Sequence, residues 1–408
     1  MKPLGPIPQG FGVSNRELAI DGHAVSALIA EAGDTPLFVY SAKMLRAQME
    51  RLRTAMPEAL AIHYAVKANP YAPLLKVMSE LVDGFDIASG GELAIVTKAG
   101  IAPHLVSFAG PGKRDTELRA AVRSGVTINL ESEGEASRAI AIAAQEGVTP
   151  RLAIRVNPEF DLKGSGMKMG GGAKPFGIDA ERVPALVRKV MQSGAEWRGF
   201  HIFAGSQALD ADALIEAQAQ ALQLAARLAR ESGVPLPHCN LGGGFGIPYF
   251  SGDEPLDVDR IGAALKVRFA ELPSELADTA FCIELGRYLV GESGVYLTRI
   301  IDRKVSHGEV FLITDGGLHH QLAASGNFGT VVRRNYPVAI ASSFDAEASE
   351  EANVVGCLCT PLDRLADKAW LPRAEVGDIV AVFCAGAYGA TASPAQFLGQ
   401  GPAMEMLV

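Results

Sequence analysis

A single lysine closes an otherwise apolar run in Ile62-His63-Tyr64-Ala65-Val66-Lys67-Ala68-Asn69-Pro70. The apolar and aromatic residues predict a buried strand and Asn-Pro a turn, which puts Lys67 on the rim of the strand end. An amine there loses hydration and becomes a nucleophile able to form a Schiff base; the plainer use is a lysine that snorkels to solvent. A second chemical feature is Gly242-Gly243-Gly244-Phe245-Gly246, whose backbone N–H groups are unshielded by side chains, as a phosphate requires. A third is Glu284, a carboxylate inside the apolar run Phe281–Leu285. Such a buried carboxylate could hold a proton on a facing nitrogen base; its other use is a salt bridge to Arg287 or another arginine. Cys357 and Cys359 lie two apart in what reads as a strand, so both are expected on one face. Such a pair could bind zinc, but no second pair or nearby histidine cluster accompanies it, and no metal is expected.

The elements that must position these residues follow a rhythm. From about residue 60, apolar β-branched runs alternate with Ala/Leu/Arg/Glu-rich helical stretches. The runs are Leu60–Val66, Phe85–Ala88, Leu105–Ala109, Thr127–Leu130, Leu152–Val156, Gly199–Ala204, Cys239–Leu241 and Phe281–Leu285, eight in all. Continuous apolar strands followed by helices predict an α/β fold, a parallel (β/α)8 TIM-like barrel whose chemistry sits at the strand C-termini. The unusual residues collect there: Lys67 after the first strand, Asp86 and Ser89 at the second, Arg155 and Asn157 at the fifth. His201, Phe203 and Ser206 follow at the sixth, the glycine run at the seventh, and Glu284, Gly286 and Arg287 at the eighth. Loops after strands seven and eight are the habitual phosphate site of this fold. A Schiff-base lysine and a phosphate cradle in one barrel mouth point to pyridoxal 5'-phosphate.

After about residue 290 strands follow one another with few helices, and polar alternation improves along Val295–Val305, as expected of a mainly antiparallel sheet with one wet face. The expected organisation is therefore a segment 1–38 joining a β domain, a barrel over 39–288 and a C-terminal β domain over 289–408. Lys163–Gly177 holds six glycines in fifteen residues and is a candidate lid or a plain surface insertion. A net charge of -9 gives no footprint for nucleic acid and weakly repels anionic membranes. No apolar run approaches the roughly 18 residues of a membrane span, and Met1–Pro6 lacks a signal-peptide core. Five cysteines over 408 residues read as reduced thiols, and the expected location is cytoplasmic.

Tyr64-Ala65-Val66-Lys67-Ala68-Asn69, Asp86-Ile87-Ala88-Ser89-Gly90-Gly91-Glu92-Leu93, Gly205-Ser206-Gln207, the glycine run and Glu284-Leu285-Gly286-Arg287 together resemble the motifs of the fold-type III pyridoxal-phosphate decarboxylases. These are the diaminopimelate, ornithine and arginine decarboxylases, on an alanine racemase-like barrel. The resemblance runs from about residue 35 to the C-terminus and includes Gly386-Ala387-Tyr388-Gly389. It implies that Lys67 carries the cofactor and Glu284 holds the pyridine nitrogen, while Gly243, Gly244, Ser206, Gly286, Arg287 and Tyr388 surround the phosphate. Asp86, Ser89, Arg155, His201 and Phe203 complete the cofactor shell. It also implies a homodimer with shared active sites, in which Cys359 of the partner copy protonates the carbanion. Arg287, Arg333, Tyr336, Thr360 and Tyr388 are the expected substrate contacts.

Two departures bear on substrate. Diaminopimelate decarboxylases carry an acidic residue directly after the donor cysteine, where this chain has Thr360-Pro361, and the family's ring-stacking histidine is replaced by Phe203, with His201 two residues earlier. Cys359-Thr360-Pro361-Leu362-Asp363 and Asp315-Gly316-Gly317-Leu318-His319-His320 are most similar to the subgroup found with exosortase-type systems and to enzymes acting on carrier-protein-linked aminoacyl groups. The expectation is decarboxylation of an amino acid at Cα, free or tethered to a carrier protein. The alternatives are a meso-diaminopimelate decarboxylase of lysine biosynthesis and, from another class, a non-catalytic cofactor-binding or regulatory homologue.

Overall fold

The computed structural model describes residues 1–326 and 333–408. The chain divides into two compact units, one of residues 49–246 and 256–286, the other of residues 1–48, 247–255 and 287–408.

The first unit is a closed parallel barrel. Its strands are β1 (Leu60–Ala65), β2 (Gly84–Ile87), β3 (Val106–Phe108), β4 (Thr127–Leu130), β5 (Arg151–Asn157), β6 (Glu196–Ile202), β7 (His238–Asn240) and β8 (Ala280–Leu285). Each pairs in parallel with the next, and β8 closes onto β1 with Glu284 opposite His63. Apolar side chains such as Ile62, Tyr64, Ile128 and Ile154 are fully buried, each contributing roughly 1.5–3 kcal/mol relative to exposure. The opposite alternation turns polar residues inward, including Asn129, Arg155, His201 and Asn240, all at most 6% exposed. Local signals place the helices: Ser89 and Ser132 cap their helices by accepting from Glu92 N and Glu135 N, worth about 1 kcal/mol each.

The second unit is a mixed, mostly antiparallel sheet built on the long strand Gly294–Ser306. That strand pairs antiparallel with Leu37–Tyr40, Ile379–Val382 and Glu309–Thr314. Two pairings are parallel: Met404–Leu407 beside Leu37–Tyr40, and Glu309–Thr314 beside Glu350–Val355. The N-terminal segment packs Leu18, Ile20, Val25 and Leu28 against Val295, Leu297 and Phe383. No helix among the described residues is long and apolar enough to cross a membrane.

Candidate active site

In the barrel unit, Lys67 lies one turn beyond β1, in the short 3-10 helix Val66–Ala68. It is exposed in the single chain, so the dehydration expected from its sequence context is not found there. Its Nζ stands 5.9 Å from the centre of the Phe203 ring. Gly286 lies against the same turn: a Cβ at that position would come within 2.8 Å of Ala68 Cβ.

Glu284 forms the polar centre of this end of the barrel. Its Oε2 lies 3.0 Å from His201 Nε2 and accepts from Asn240 Nδ2 at 3.1 Å. Burial alone would raise this carboxyl, but the charges of His201, Lys67 and Arg155 outweigh it and hold Glu284 below the usual carboxylate range. Arg155 acts through its charge, since its NH1 is bound to Glu131 at 2.9 Å. Glu131 also accepts from Gly110 N and Gly177 N and lies near the buried pair Lys113–Glu135. Glu131 and Asn240 were not among the residues singled out by sequence, because their roles depend on partners in neighbouring strands.

The glycine run is imposed by close backbone passage. A Cβ on Gly243 would fall 1.8 Å from Glu284 O, and Gly244 has φ +87° with Gly205 O only 2.5 Å from such an atom. Gly244 O accepts from Ala208 N, and Asn240 Oδ1 accepts from Gly242 N. Among the described residues, the N–H groups of Gly243 and Gly244 meet no acceptor. Unpaired backbone donors beside a held-ionised carboxylate fit a phosphorylated pyridine.

Asp86 and Ser89 serve other partners. Asp86 Oδ2 contacts His63 Nδ1 at 3.2 Å, and Ser89 caps its helix. The glycine-rich segment after Lys163 is laced to the end of β6: Met167 and Lys168 pair with Ser206 and Gly205, and Met169 N and Gly170 N donate to Ala204 O. Glu131 holds its far end through Gly177.

In the β unit, Arg287 donates to Tyr249 Oη at 2.8 Å, and its guanidinium lies 4.8 Å from the Tyr388 ring centre. Burial pushes the Tyr249 hydroxyl up to about 12, with the Arg287 charge opposing. Tyr336 is buried, with its ring tilted against that of Tyr249 at a centroid distance of 4.7 Å. Tyr249 was absent from the sequence expectations; the only local signal is an aromatic residue directly after the glycine run and Ile247-Pro248. Arg333 donates to Leu362 O at 3.2 Å, whereas Arg334 stacks on Phe250 at 3.8 Å.

Cys357 and Cys359 are not on a strand, as their spacing suggested. Glu350–Val355 ends before Gly356, and both cysteines belong to the loop leading to Arg364–Leu371. Cys357 is half-buried, with Sγ 3.4 Å from Asp315 O, and Cys359 is exposed. The loop is built on Asp363, which accepts from Leu318 N at 2.7 Å and Leu358 N at 2.8 Å. Cβ atoms on Gly317 or Gly356 would fall 2.2 or 2.3 Å from that carboxylate, which explains both glycines. Thr360 is half-buried within the turn and accepts from Leu362 N through Oγ1.

Residues 42–291 match the family described as "Pyridoxal-dependent decarboxylase, pyridoxal binding domain". The L-glutamyl-[BtrI acyl-carrier protein] decarboxylase of Niallia circulans is 36% identical over 92% of this chain and 89% of that protein. A diaminopimelate decarboxylase of Pseudomonas fluorescens is 35% identical over 98% and 93%. Among solved structures, diaminopimelate decarboxylase from Helicobacter pylori complexed with L-lysine superposes with a TM-score of 0.81 at 26% identity, covering 93% of each chain.

Proposed function

From the premise that the chain belongs to the pyridoxal-dependent decarboxylases of the ornithine/diaminopimelate family, we propose that its substrate is an aminoacyl group tethered to a carrier protein. The observation that carries this reading is the loop after Cys359. Where a carboxylate would be needed to meet a distal ammonium, the chain has Thr360, and Asp363 is buried and committed to two backbone N–H groups. A thioester-linked substrate has no free distal carboxylate or amine at the attachment point, so a loop without an available charge suits it. The 36% identity to a carrier-protein-linked glutamyl decarboxylase supports the same reading.

The residues divide the work as follows. Lys67 would hold the cofactor through Nζ, with the Phe203 ring 5.9 Å from that nitrogen offering an apolar contact, and the N–H groups of Gly243 and Gly244 with Ser206 would bind its phosphate. In the β unit, Arg287 with Tyr388 and Arg333 with Tyr336 are the groups assigned to anionic oxygens of cofactor and substrate. Pyridoxal phosphate, when bound, supplies a protonated ring that accepts the electron pair left as carbon dioxide departs. Glu284, kept ionised, holds the proton on the ring nitrogen, while Asn240 and His201 fix its carboxylate. Cys359, exposed in the single chain, returns a proton to the substrate carbon from the partner copy of a homodimer. Mixing Lys67→Ala with Cys359→Ala protein checks the shared sites: about one quarter of wild-type activity should return, because half of the dimers carry one intact site. No recovery would place the cysteine in its own chain's site.

A second reading, meso-diaminopimelate decarboxylation, is favoured by the 35% identity to the Pseudomonas enzyme. Carbon dioxide release from glutamyl-carrier protein, free glutamate, meso-diaminopimelate, lysine, ornithine and arginine, with Lys67→Ala as control, separates the two.

A further inference from the structure

The inward faces of a barrel are ordinarily filled by branched apolar side chains. At the N-terminal end of this barrel they are not. There a cavity of about 220 Å³ is lined by His63, Asn129, His238 and Asn240, with exposed Asp83 and His104 along its wall. Beside it, one nitrogen from each of His63 and His238 and the sulfur of Cys282 lie within 4.8 Å of one another. These residues come from β1, β7 and β8, neighbours in the barrel wall, so the cluster is held by the fold and not by a loop.

We propose that His63, His238 and Cys282 form a binding site for a zinc-class divalent cation, distinct from the Lys67–Glu284 end of the barrel. Two imidazoles and a thiolate are the ligand set that selects such a cation over magnesium or calcium. Tetrahedral zinc brings N and S ligand atoms to roughly 3.4–3.6 Å from one another, so closure requires side-chain adjustments of about 1 Å. Asp86 holds the His63 ring through Nδ1 at 3.2 Å, the carboxylate–imidazole contact that orients metal-binding histidines. Gly84 leaves room for that ring, since a Cβ there would stand 2.6 Å from His63 Nε2. The cavity gives the ion an entry path and is large enough to supply water as a fourth ligand. Binding requires the Cys282 sulfur and the ligating nitrogens of His63 and His238 to be free of protons; the displaced protons leave through the cavity to solvent, and no electron is transferred.

The test is calorimetric titration of zinc chloride into cofactor-loaded protein freed of metal by a chelator. The proposal expects one zinc per chain, at least 100-fold weaker binding in Cys282→Ser and His238→Gln, and unchanged affinity in Cys359→Ser. Zinc-edge X-ray absorption on the wild-type protein provides a readout independent of whether the variants fold, and one sulfur with two imidazole nitrogens is expected. Absence of binding, affinity insensitive to Cys282 and His238, or a shell of two sulfurs or of oxygen and nitrogen alone would each overturn the site.

Discussion

Glu284 in the barrel unit and Asp363 in the β unit are both largely buried carboxylates, yet their surroundings move their protons in opposite directions. Around Glu284, the interactions with His201, Lys67 and Arg155 outweigh the burial penalty and lower its pKa. Around Asp363, burial dominates over the hydrogen bonds from Leu318 and Leu358, and the pKa is raised. The difference separates a carboxylate kept ionised at a chemical site from one used as a structural anchor. Here the groups balancing the charge decide the direction: nearby charged side chains offset burial at Glu284, whereas two backbone amides do not offset it at Asp363.

Lys67→Ala should remove carbon dioxide release by at least about 10³-fold, measured at saturating cofactor, if Lys67 is the amine that holds it, as proposed. Glu284→Gln should lower kcat by about 10²-fold while leaving phosphate affinity, read by cofactor titration, within a few-fold. Asp363→Asn should do the reverse: its amide cannot accept two N–H bonds on separate oxygens, costing about 1–3 kcal/mol. A lower melting midpoint in that variant, with kcat per folded site preserved if the loop remains ordered, is the expected signature.

The acid side of the stability profile sharpens the contrast further. Glu284 has a folded pKa below its ordinary 4.5, so its stabilisation is full above that value and is lost as pH falls through the folded pKa. Asp363 has a folded pKa above its ordinary 3.8, so the cost of ionising it is full above the folded pKa and is relieved as pH falls through it. Glu284→Gln should therefore flatten the decline in melting temperature on acidification, and Asp363→Asn should steepen it. The smallest effect is expected from Thr360→Asp, which restores an acidic residue after Cys359: activity on meso-diaminopimelate should rise by about 10-fold, measured as carbon dioxide release.

Much of this arrangement was legible because it follows local rules. The apolar run Phe281–Leu285 corresponds to the strand Ala280–Leu285, and Thr127–Leu130 is reproduced at both ends. Gly199–Ala204 was displaced toward the C-terminus, because Glu196 and Trp197 pair with β5 before a bulge ahead of Gly199. The cysteine pair was misplaced for a tertiary reason: the Asp363 carboxylate, seven residues after Gly356, lies against that glycine and accepts from Leu358 N, holding the segment in a turn. Asn240, Glu131 and Tyr249 escaped notice because nothing near them in sequence signals their partners; each gains its role from another strand or loop. The cluster of His63, His238 and Cys282 escaped for the same reason, since its members are 175 and 44 residues apart and meet only when the barrel closes.

The most direct test of the account is carbon dioxide release by the purified, cofactor-loaded protein given glutamyl-carrier protein and meso-diaminopimelate in parallel, with Lys67→Ala as control. The account predicts Lys67-dependent release from the carrier-linked substrate and little or none from the free diamino acid. Robust Lys67-dependent release from meso-diaminopimelate would contradict the reading of Thr360 and Asp363 and make the chain a lysine-pathway decarboxylase.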